Sequence, residues 1–326
     1  MQAARGTLPL ASPVSATPKI SVVIPVYNSA RYLPECLDSI LAQDFRDLEI
    51  LISDDGSTDG SLAIIKNYAQ KDSRIRWWQN EKNLGLTGNH NAVMRAARGE
   101  FIKFVHQDDK ILQPSALAKM LEPLERDASV SLVGAASELI NSKSQALAVR
   151  NYFYRTGTLA GKDVIVKCLE ENKNILGEPS LVMFRLSQAA RGFDPRYRQI
   201  VDMEFWFHLL EQGRFAYVAE PLFGFRVHPQ QASAANARSG AAREEQMLLL
   251  TDYCAKSWLA AHATARMWFK QIYYLRKKYG ERAKPLIAQA KPKISPLAYA
   301  WCWLEHRATA PFVRLKERRL RKRLKE

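Results

Sequence analysis

Short apolar runs alternate with helix-like segments over the first 110 residues of the chain. The runs are rich in β-branched residues and predict four strands, at Ile20–Val26, Leu48–Ser53, Arg74–Gln79 and Phe101–His106. Between them, apolar residues recur at intervals of three and four, which is the spacing of one helical face. This spacing predicts helices at Ala30–Gln43, Ser57–Tyr68 and Thr87–Arg98. Strands that alternate with helices of this length predict a doubly wound α/β layer.

After Asp109 the pattern is less regular, but it still mixes strands and helices. We predict helices at Pro114–Arg126 and Met203–Gln212, and strands at Val130–Ala135, Pro179–Phe184 and Phe215–Ala219. The polar and aromatic stretch Asn141–Thr158 predicts a loop, and the small polar residues Ser233–Gly240 predict a linker. From Ala241 onward the chain is predicted to be helical, with interruptions at Pro285, Pro292 and Pro296. The whole pattern therefore predicts a sheet domain followed by a helical extension.

Charge is distributed very unevenly between these two parts. The chain of 326 residues has a net charge of +15, yet residues 1–250 hold 29 Lys and Arg against 28 Asp and Glu. Residues 251–326 hold 19 basic residues against 5 acidic ones, together with many aromatic residues. Basic, aromatic-rich helices often lie on anionic membrane surfaces, so we expect peripheral membrane contact through residues 251–326. A solvated helical tail is the alternative, and nucleic-acid binding is disfavoured because no known binding motif accompanies the charge.

The sequence also gives an expectation about location. Residues 1–18 are rich in Ala, Pro, Ser and Thr and predict a flexible tail without the apolar stretch of a signal peptide. No run approaches the ~20 apolar residues that span a bilayer. The four cysteines are scattered, which favours reduced thiols. We therefore expect a cytoplasmic protein, peripheral at the inner face of the cytoplasmic membrane.

Carboxylates follow two of the predicted strands and supply the candidate chemistry. Asp55 follows the second strand and Asp108-Asp109 the fourth, and the carboxyl ends of parallel strands meet at one edge of a sheet. Two acidic clusters at that edge suggest a site for a divalent cation and a phosphorylated ligand. Taken singly, Asp55 would be a turn residue and Asp108-Asp109 a helix cap. Tyr27, at the end of the first strand, could stack on a nucleobase or close the edge of the core.

The order of the motifs is more specific than any one of them. A first strand ends in Pro25-Val26-Tyr27-Asn28 without the Gly-x-Gly-x-x-Gly turn of a dinucleotide-binding enzyme, which disfavours an NAD enzyme. The later motifs, in chain order, are Asp54-Asp55-Gly56-Ser57-x-Asp59, Asn83-x-Gly85, Asp108-Asp109, Gly192-Phe193-Asp194, Asp202-Met203-Glu204-Phe205-Trp206 and Phe225-Arg226-Val227-His228-Pro229. Over about residues 19–230 this order resembles the family 2 glycosyltransferases.

The resemblance implies a fold and a division of the chain. The fold would be a doubly wound mixed sheet of the glycosyltransferase A type with a helical basic C-terminal extension. Residues 19–110 would form the nucleotide-sugar-binding half and residues 111–232 the acceptor-side half of one catalytic domain. Residues 1–18 would be the tail and residues 241–326 the basic extension.

The resemblance also implies roles for individual residues. Donor binding would fall to residues at strand ends and turns, namely Pro25, Tyr27, Asp55, Asn83, Gly85 and Asp108. Asp109 would ligate Mg²⁺ or Mn²⁺ on the diphosphate, with His228 either a further metal ligand or an ordinary loop histidine. Asp202 would be the general base that deprotonates an acceptor hydroxyl, or else a helix cap. The implied enzyme is a metal-dependent, inverting glycosyltransferase acting on a glycan or lipid-linked acceptor in cell-surface polysaccharide or lipopolysaccharide synthesis.

Two positions depart from the family pattern, and two other functions compete with this one. His106 stands where Asp is common, and His90 stands where Arg is common, so no diphosphate contact is assigned to position 90. A nucleotidyltransferase would share the sheet and the acidic metal ligands, but the segments around Asp202 and Arg226 disfavour it. A non-catalytic nucleotide-sugar-binding protein of the same fold is disfavoured by the presence of Asp55, Asp109 and Asp202.

Overall fold

The computed structural model describes residues 17–229, 231, 242–260 and 264–323, without the side chains of residues 260 and 310–323. Most of the predicted N-terminal tail and the whole predicted linker at 233–240 lie outside these residues. So do the side chains of the basic stretch at residues 314–325. The statements below concern the described part of the chain.

One mixed sheet of ten strands forms the centre of the molecule. In chain order the strands are β1 (Ile20–Val26), β2 (Leu48–Asp54), β3 (Ile75–Gln79), β4 (Phe101–Phe104), β5 (Lys110–Ile111), β6 (Val130–Ile140), β7 (Ala146–Arg150), β8 (Gly157–Ala160), β9 (Val182–Arg185) and β10 (Arg214–Arg226). The order across the sheet is β3-β2-β1-β4-β9-β6-β10-β5, with β7 beside β6 and β8 beside β10. Strands β3, β2, β1 and β4 are parallel, whereas β9 is antiparallel to both of its neighbours.

Helices cover both faces of this sheet. In chain order they are α1 (Leu33–Leu41), α2 (Ser61–Lys71), α3 (Gly85–Arg95), α4 (Ala116–Arg126), α5 (Gly161–Glu171), α6 (Val201–Leu210), α7 (Ala242–Cys254), α8 (Ser257–Ala260), α9 (Ala265–Tyr279), α10 (Ala283–Ala290) and α11 (Pro296–Arg323). Successive residues of a strand point to opposite faces, so Val22 and Ile24 join one core and Val23 the other. The first core contains α1, α2 and α4, and the second contains α3, α5 and α6. The predicted doubly wound fold is thereby confirmed.

Several local predictions were wrong beyond the fourth strand. The predicted loop Asn141–Thr158 contains β7 and the start of β8, because both pair with long strands at the sheet's far side. Strand β10 runs for 13 residues and passes Pro221 through two register shifts, at which the missing N–H is accommodated. Helix α5 was not predicted. Pro285 lies in the first turn of α10 and Pro296 begins α11, positions where proline costs no helical hydrogen bond.

The C-terminal helices pack against the sheet domain. Leu249 and Leu250 of α7 and Trp268 of α9 are buried in the same core as α5 and α6. Gln271 of α9 donates a 2.6 Å hydrogen bond to the side chain of Asn172, which ends α5. Helix α11 contacts α9 through Tyr299, whose ring centroid lies 5.0 Å from that of Phe269. Helices α7 to α10 are therefore part of the folded body.

Candidate functional site

A cleft of about 840 Å³ opens where β1, β2 and β4 end. Eight of the nine predicted site residues line it, from both halves of the chain: Pro25, Tyr27, Asp55, Asn83, Gly85, Asp108, Asp202 and His228. The sheet register explains the gathering, because Val26 lies opposite Asp54 and Val23 opposite Phe104. Residues that follow these strands therefore emerge side by side. The volume is within the range of small-ligand sites.

The donor end of the cleft is built from two interlocked turns. The backbone N–H of Asn28 donates to the Ser57 hydroxyl at 2.9 Å, and the Asn28 side-chain oxygen accepts from the Thr58 N–H at 2.8 Å. These two hydrogen bonds stabilise Asn28 in a conformation with a positive φ of 47°. Tyr27 next to it is 49% exposed, so it does not close the core edge. Its ring is free to cover a planar ligand, and base stacking remains a prediction.

Asp55 is buried at the floor of this end and organises the following turn. Its carboxylate accepts from the backbone N–H groups of Leu84 and Gly85 at 2.8 and 3.0 Å, and from the Asn80 side chain at 2.9 Å. Asn83 donates to the Asp55 carbonyl at 3.0 Å. Gly85 has a φ of +70°, which disfavours other residues at the start of α3. Asp55, Asn83 and Gly85, three of the predicted donor residues, thus form one hydrogen-bonded unit.

Asp108 and Asp109 occupy different depths in the site. Asp108 faces the cleft and accepts a 3.0 Å hydrogen bond from Nε2 of His228. This bond offsets burial, and the pKa of Asp108 is lowered. Asp109 lies behind it, 2% exposed, and accepts from the Arg226 backbone N–H at 2.9 Å. Burial, reinforced by Asp108, raises the pKa of Asp109 well above its ordinary value.

Arg226 holds the acidic turn in place. Its Nε donates to the Asp108 carbonyl at 2.7 Å, and its Nη2 contacts Glu35 at 2.6 Å. The guanidinium also lies over the Tyr32 ring, 4.6 Å from the centroid. Arg226 is only 1% exposed; Glu35 compensates its charge, and the carbonyl oxygens of Asp108 and Asn141 accept further hydrogen bonds from it. It acts as an anchor for the two aspartates and was not predicted as such.

Two histidines line the wall beside the acidic turn. Nε2 of His90 lies 2.9 Å from Nε2 of His106, and Nδ1 of His90 lies 2.7 Å from the Leu86 carbonyl oxygen. Burial and then the neighbouring His106 lower the pKa of His90 to about 3. These are the two positions at which the sequence departs from the family pattern, and the structure places them in direct contact.

The donor set of the acidic turn fits a divalent cation. A ring nitrogen of His106 and one carboxylate oxygen from each of Asp108 and Asp109 lie within 4.8 Å of one another. Asp109 Oδ2 is buried and accepts no hydrogen bond of ordinary length among the described residues, although the nearby Ser180 side chain partly offsets the rise in the Asp109 pKa. An uncompensated buried carboxylate oxygen is costly, and a cation would satisfy it.

Asp202 also lines the cleft, from the first turn of α6. Its carboxylate accepts from its neighbour's N–H, that of Met203, at 2.8 Å, and from the Asn174 side chain at 3.0 Å. Helix capping would direct the carboxylate to the second or third residue after it, so this is not the N-cap bond. Burial, then the negative charge of Glu178, raise the pKa of Asp202 to about 7. A carboxylate with this pKa can accept a proton near neutral pH.

Glu178 is a further acidic residue of the cleft that the sequence did not reveal. It forms a two-pronged pair with Arg150, both distances being 2.7 Å. Burial opposes the charged form, but Arg150 holds the pKa of Glu178 below its ordinary value. Glu178 belongs to no recognised motif. Arg150 lies at the end of β7, within the stretch that was predicted to be a loop.

The chain is similar to known proteins in sequence. Residues 21–169 match the family model described as "Glycosyl transferase family 2". A GalNAc(5)-diNAcBac-PP-undecaprenol beta-1,3-glucosyltransferase of Campylobacter jejuni is 38% identical over 106 residues, 32% of this chain and 34% of that one. The chain spans 66% of the length of the first curated relative that it matches.

Two solved structures share the fold. Staphylococcus aureus TarS 1-349 in complex with UDP-GlcNAc superposes with a TM-score of 0.62 at 19% identity, covering 83% of this chain and 79% of that one. The mannosyltransferase PcManGT from Pyrobaculum calidifontis, in complex with GDP-Man and Mn²⁺, gives a TM-score of 0.59 at 17% identity, covering 94% and 86%. The family match places residues 21–169 in glycosyl transferase family 2, and the two solved structures show that the fold is shared.

Proposed function

We propose that the protein transfers a sugar from a nucleotide-sugar donor to an acceptor hydroxyl with inversion at the anomeric carbon. The single observation that carries the proposal is the cleft that Asp202 lines together with the predicted donor residues and Asp108 of the acidic turn. A base and a phosphate-binding turn that share one cleft suit a single displacement. The family relationship and the fold support the same reaction class.

The residues of the chain supply binding and proton transfer. Tyr27 would stack on the nucleobase, while the unit around Asp55 fixes the turn that borders it. Asp202, with its raised pKa, would take the proton of the acceptor hydroxyl as that oxygen attacks the sugar. Its hydrogen bonds from Met203 and Asn174 hold the carboxylate toward the cleft. Burial is the main cause of the raised Asp202 pKa, and the charge of Glu178, which Arg150 keeps ionised, adds to it.

We propose that the acidic turn holds Mg²⁺ or Mn²⁺. Asp108 faces the cleft, Asp109 lies behind it, and His228 contacts Asp108, so these three are the proposed ligand region. When bound, the cation would neutralise negative charge on the departing diphosphate. The Mn²⁺ bound by the Pyrobaculum enzyme supports this choice.

A lipid-linked or growing-glycan acceptor is the second part of the proposal, and it places the protein at a membrane surface. The Campylobacter relative is named for a PP-undecaprenol acceptor. The described helices include none that is both long and apolar enough to cross a bilayer. We propose that the contact is peripheral and runs through the basic extension at residues 251–326. The reaction would serve synthesis of a cell-surface glycan.

Calorimetry with UDP, GDP and dTDP, each with Mn²⁺ or with chelator, tests the donor site. We expect one nucleotide to bind in a metal-dependent manner and Asp108→Asn to weaken that binding strongly, because the change removes a charged ligand. Asp163→Asn, at an exposed position of α5, is the matched control. Absence of metal-dependent binding for all three nucleotides would contradict the proposal. Binding without any sugar transfer would instead favour a non-catalytic nucleotide-sugar-binding protein.

A further inference from the structure

The two histidines in contact at the cleft wall have a fixed proton arrangement. Their Nε2 atoms lie 2.9 Å apart, a distance at which one nitrogen donates and the other accepts. A carbonyl oxygen can only accept, so the contact of His90 Nδ1 with Leu86 O places a proton on that nitrogen. The position of the remaining shared proton decides what His106 can do.

That proton belongs to His106. If His90 carried it, His90 would be a cation, 4% exposed and packed against the rings of Phe104 and Phe193 at 5.3 and 5.4 Å. An unpaired buried cation is far more costly than a neutral imidazole there. His106 therefore donates through Nε2, and its neutral ring presents a lone pair on Nδ1. Among the described residues, no hydrogen bond to this nitrogen is formed.

We propose that His106 is a nitrogen ligand of the cation at the acidic turn, and that His90 is a positioning residue that fixes its tautomer. The inference rests on the proposed function. It follows from the cluster in which His106, Asp108 and Asp109 bring one ligand atom each within 4.8 Å. A second-shell partner that orients a ligating histidine is a common feature of metal sites.

A nitrogen ligand changes which cation the site prefers. Mg²⁺ binds oxygen almost exclusively, whereas Mn²⁺ and Co²⁺ accept mixed sets of imidazole and carboxylate. This site should therefore select Co²⁺ and Mn²⁺ over Mg²⁺. Replacing His106 by Asp, the residue common at this position in the family, should shift the preference back toward Mg²⁺.

Pulsed electron paramagnetic resonance on the full chain with Mn²⁺ and the nucleotide that binds tests the ligand directly. We expect ¹⁴N coupling to Mn²⁺ in His228→Asn, in which His106 is the remaining imidazole of the proposed site, and we expect its loss when His106→Asp is added while Mn²⁺ stays bound. His208→Gln, on α6, is the matched histidine control. Coupling that survives the added His106→Asp unchanged, or is absent from His228→Asn, would overturn the inference.

Calorimetry supplies the second readout. The ratio of the Mg²⁺ to the Co²⁺ dissociation constant should fall by about tenfold or more in His106→Asp, and an unchanged ratio would count against ligation. His90→Phe should weaken Mn²⁺ binding by about 10- to 100-fold, the usual cost of losing a second-shell partner. The amide oxygen of His90→Gln can accept the hydrogen bond from His106, so this variant should retain most of the Mn²⁺ affinity. Equal weakening of Mn²⁺ binding in His90→Phe and His90→Gln would refute the positioning role. Metal and nucleotide binding without nitrogen coupling would overturn this inference alone, whereas no binding of either would reject the proposed function too.

Discussion

Asp202 shows how a single side chain acquires a role from its surroundings. By sequence it is one acidic residue at the start of a helix, and such residues are usually caps. In the structure its carboxylate lies in a cleft wall beside Glu178, and the pKa near 7 follows from that placement. The base assignment is still a prediction, and it has kinetic and thermodynamic consequences.

The kinetic consequence concerns turnover. Asp202→Asn should lower the rate of sugar transfer by ~10²–10⁴-fold, the usual contribution of general acid–base catalysis. Donor affinity should remain within about twofold, because the proposed partner of Asp202 is the acceptor hydroxyl and not the nucleotide. For the unmodified protein, the rate should fall as the pH drops below about 7, since the base becomes protonated. Steady-state assays with Asp163→Asn as control measure both; normal turnover in Asp202→Asn would make the residue structural.

The thermodynamic consequence concerns stability against pH. The folded-state pKa of Asp202 is raised from 3.8 to about 7, so the folded protein holds this proton more tightly than the unfolded chain. Stability from this residue is therefore greatest below pH 4 and is lost as the pH rises to about 7. Asp202→Asn removes this dependence, and its free energy of unfolding relative to the unmodified protein should increase between pH 4 and 7. Urea unfolding at pH 5 and pH 8 measures it, and a difference independent of pH would contradict the raised pKa.

Sequence reasoning located most of the cleft residues but not their partners. Pro25, Tyr27, Asp55 and Asp108 follow strand ends, and a parallel sheet necessarily brings strand ends together. Glu178 and Arg150 could not be found this way, because their pairing depends on the antiparallel strand β7 folding back on β6. The contact between His90 and His106 could not be predicted from the sequence either, although both residues were recognised as departures from the family pattern.

At the scale of elements, strand β10 connects the acceptor side to the acidic turn. It starts at the exposed Arg214 and ends at the buried Arg226, whose backbone and side chain hold Asp109 and Asp108. Its full length was underestimated because Pro221 normally ends a strand; here register shifts accommodate it. The two arginines of one strand provide a matched pair for experiment.

Arg226→Met should destabilise the protein by about 1–3 kcal/mol, because the carbonyl oxygens of Asp108 and Asn141 lose their buried donor, while Glu35 keeps its ion pair with Lys110. Metal-dependent nucleotide binding should weaken at the same time, since the Asp108 carbonyl loses its donor. Arg214→Met, whose ion pair with Asp127 is exposed, should change stability by about 1 kcal/mol or less. Denaturant unfolding and calorimetry on both variants give the comparison. Equal effects at the two positions would contradict the anchoring role.

At the scale of the whole molecule, helix α11 presents an apolar stripe to solvent. Leu297, Trp301 and Leu304 are 85%, 71% and 58% exposed, and their spacing of four and three residues puts them on one face. The opposite face packs on α9, where Cys302 is 5% exposed. Arg307 lies 4.8 Å from the Trp303 ring, so basic charge adjoins the stripe. Such a surface suits the headgroup region of an anionic bilayer.

The proposed membrane contact is best tested with point substitutions, because α7 to α10 are part of the core and truncation would expose it. Trp301→Ala with Leu304→Ala should lower partitioning onto anionic liposomes by about tenfold or more, given 1.5–3 kcal/mol for burying a large apolar side chain. Salt should weaken binding, since surface charges are screened within about 8 Å. Tyr154→Ala, 76% exposed on the sheet domain, is the aromatic control. Equal sedimentation with neutral and anionic liposomes would contradict the surface assignment.

Sugar transfer with inversion is the central claim, and proton magnetic resonance of the reacting sugar tests it most directly. Nucleotide-sugars would be screened with Mn²⁺, using water as the acceptor where no glycan is at hand, and the anomeric proton followed from the first minutes. We predict that one donor is cleaved, that the first product has the opposite anomeric configuration, and that chelator, Asp108→Asn and Asp202→Asn each suppress it. A first product with retained configuration, or cleavage that persists in both variants, would contradict the account.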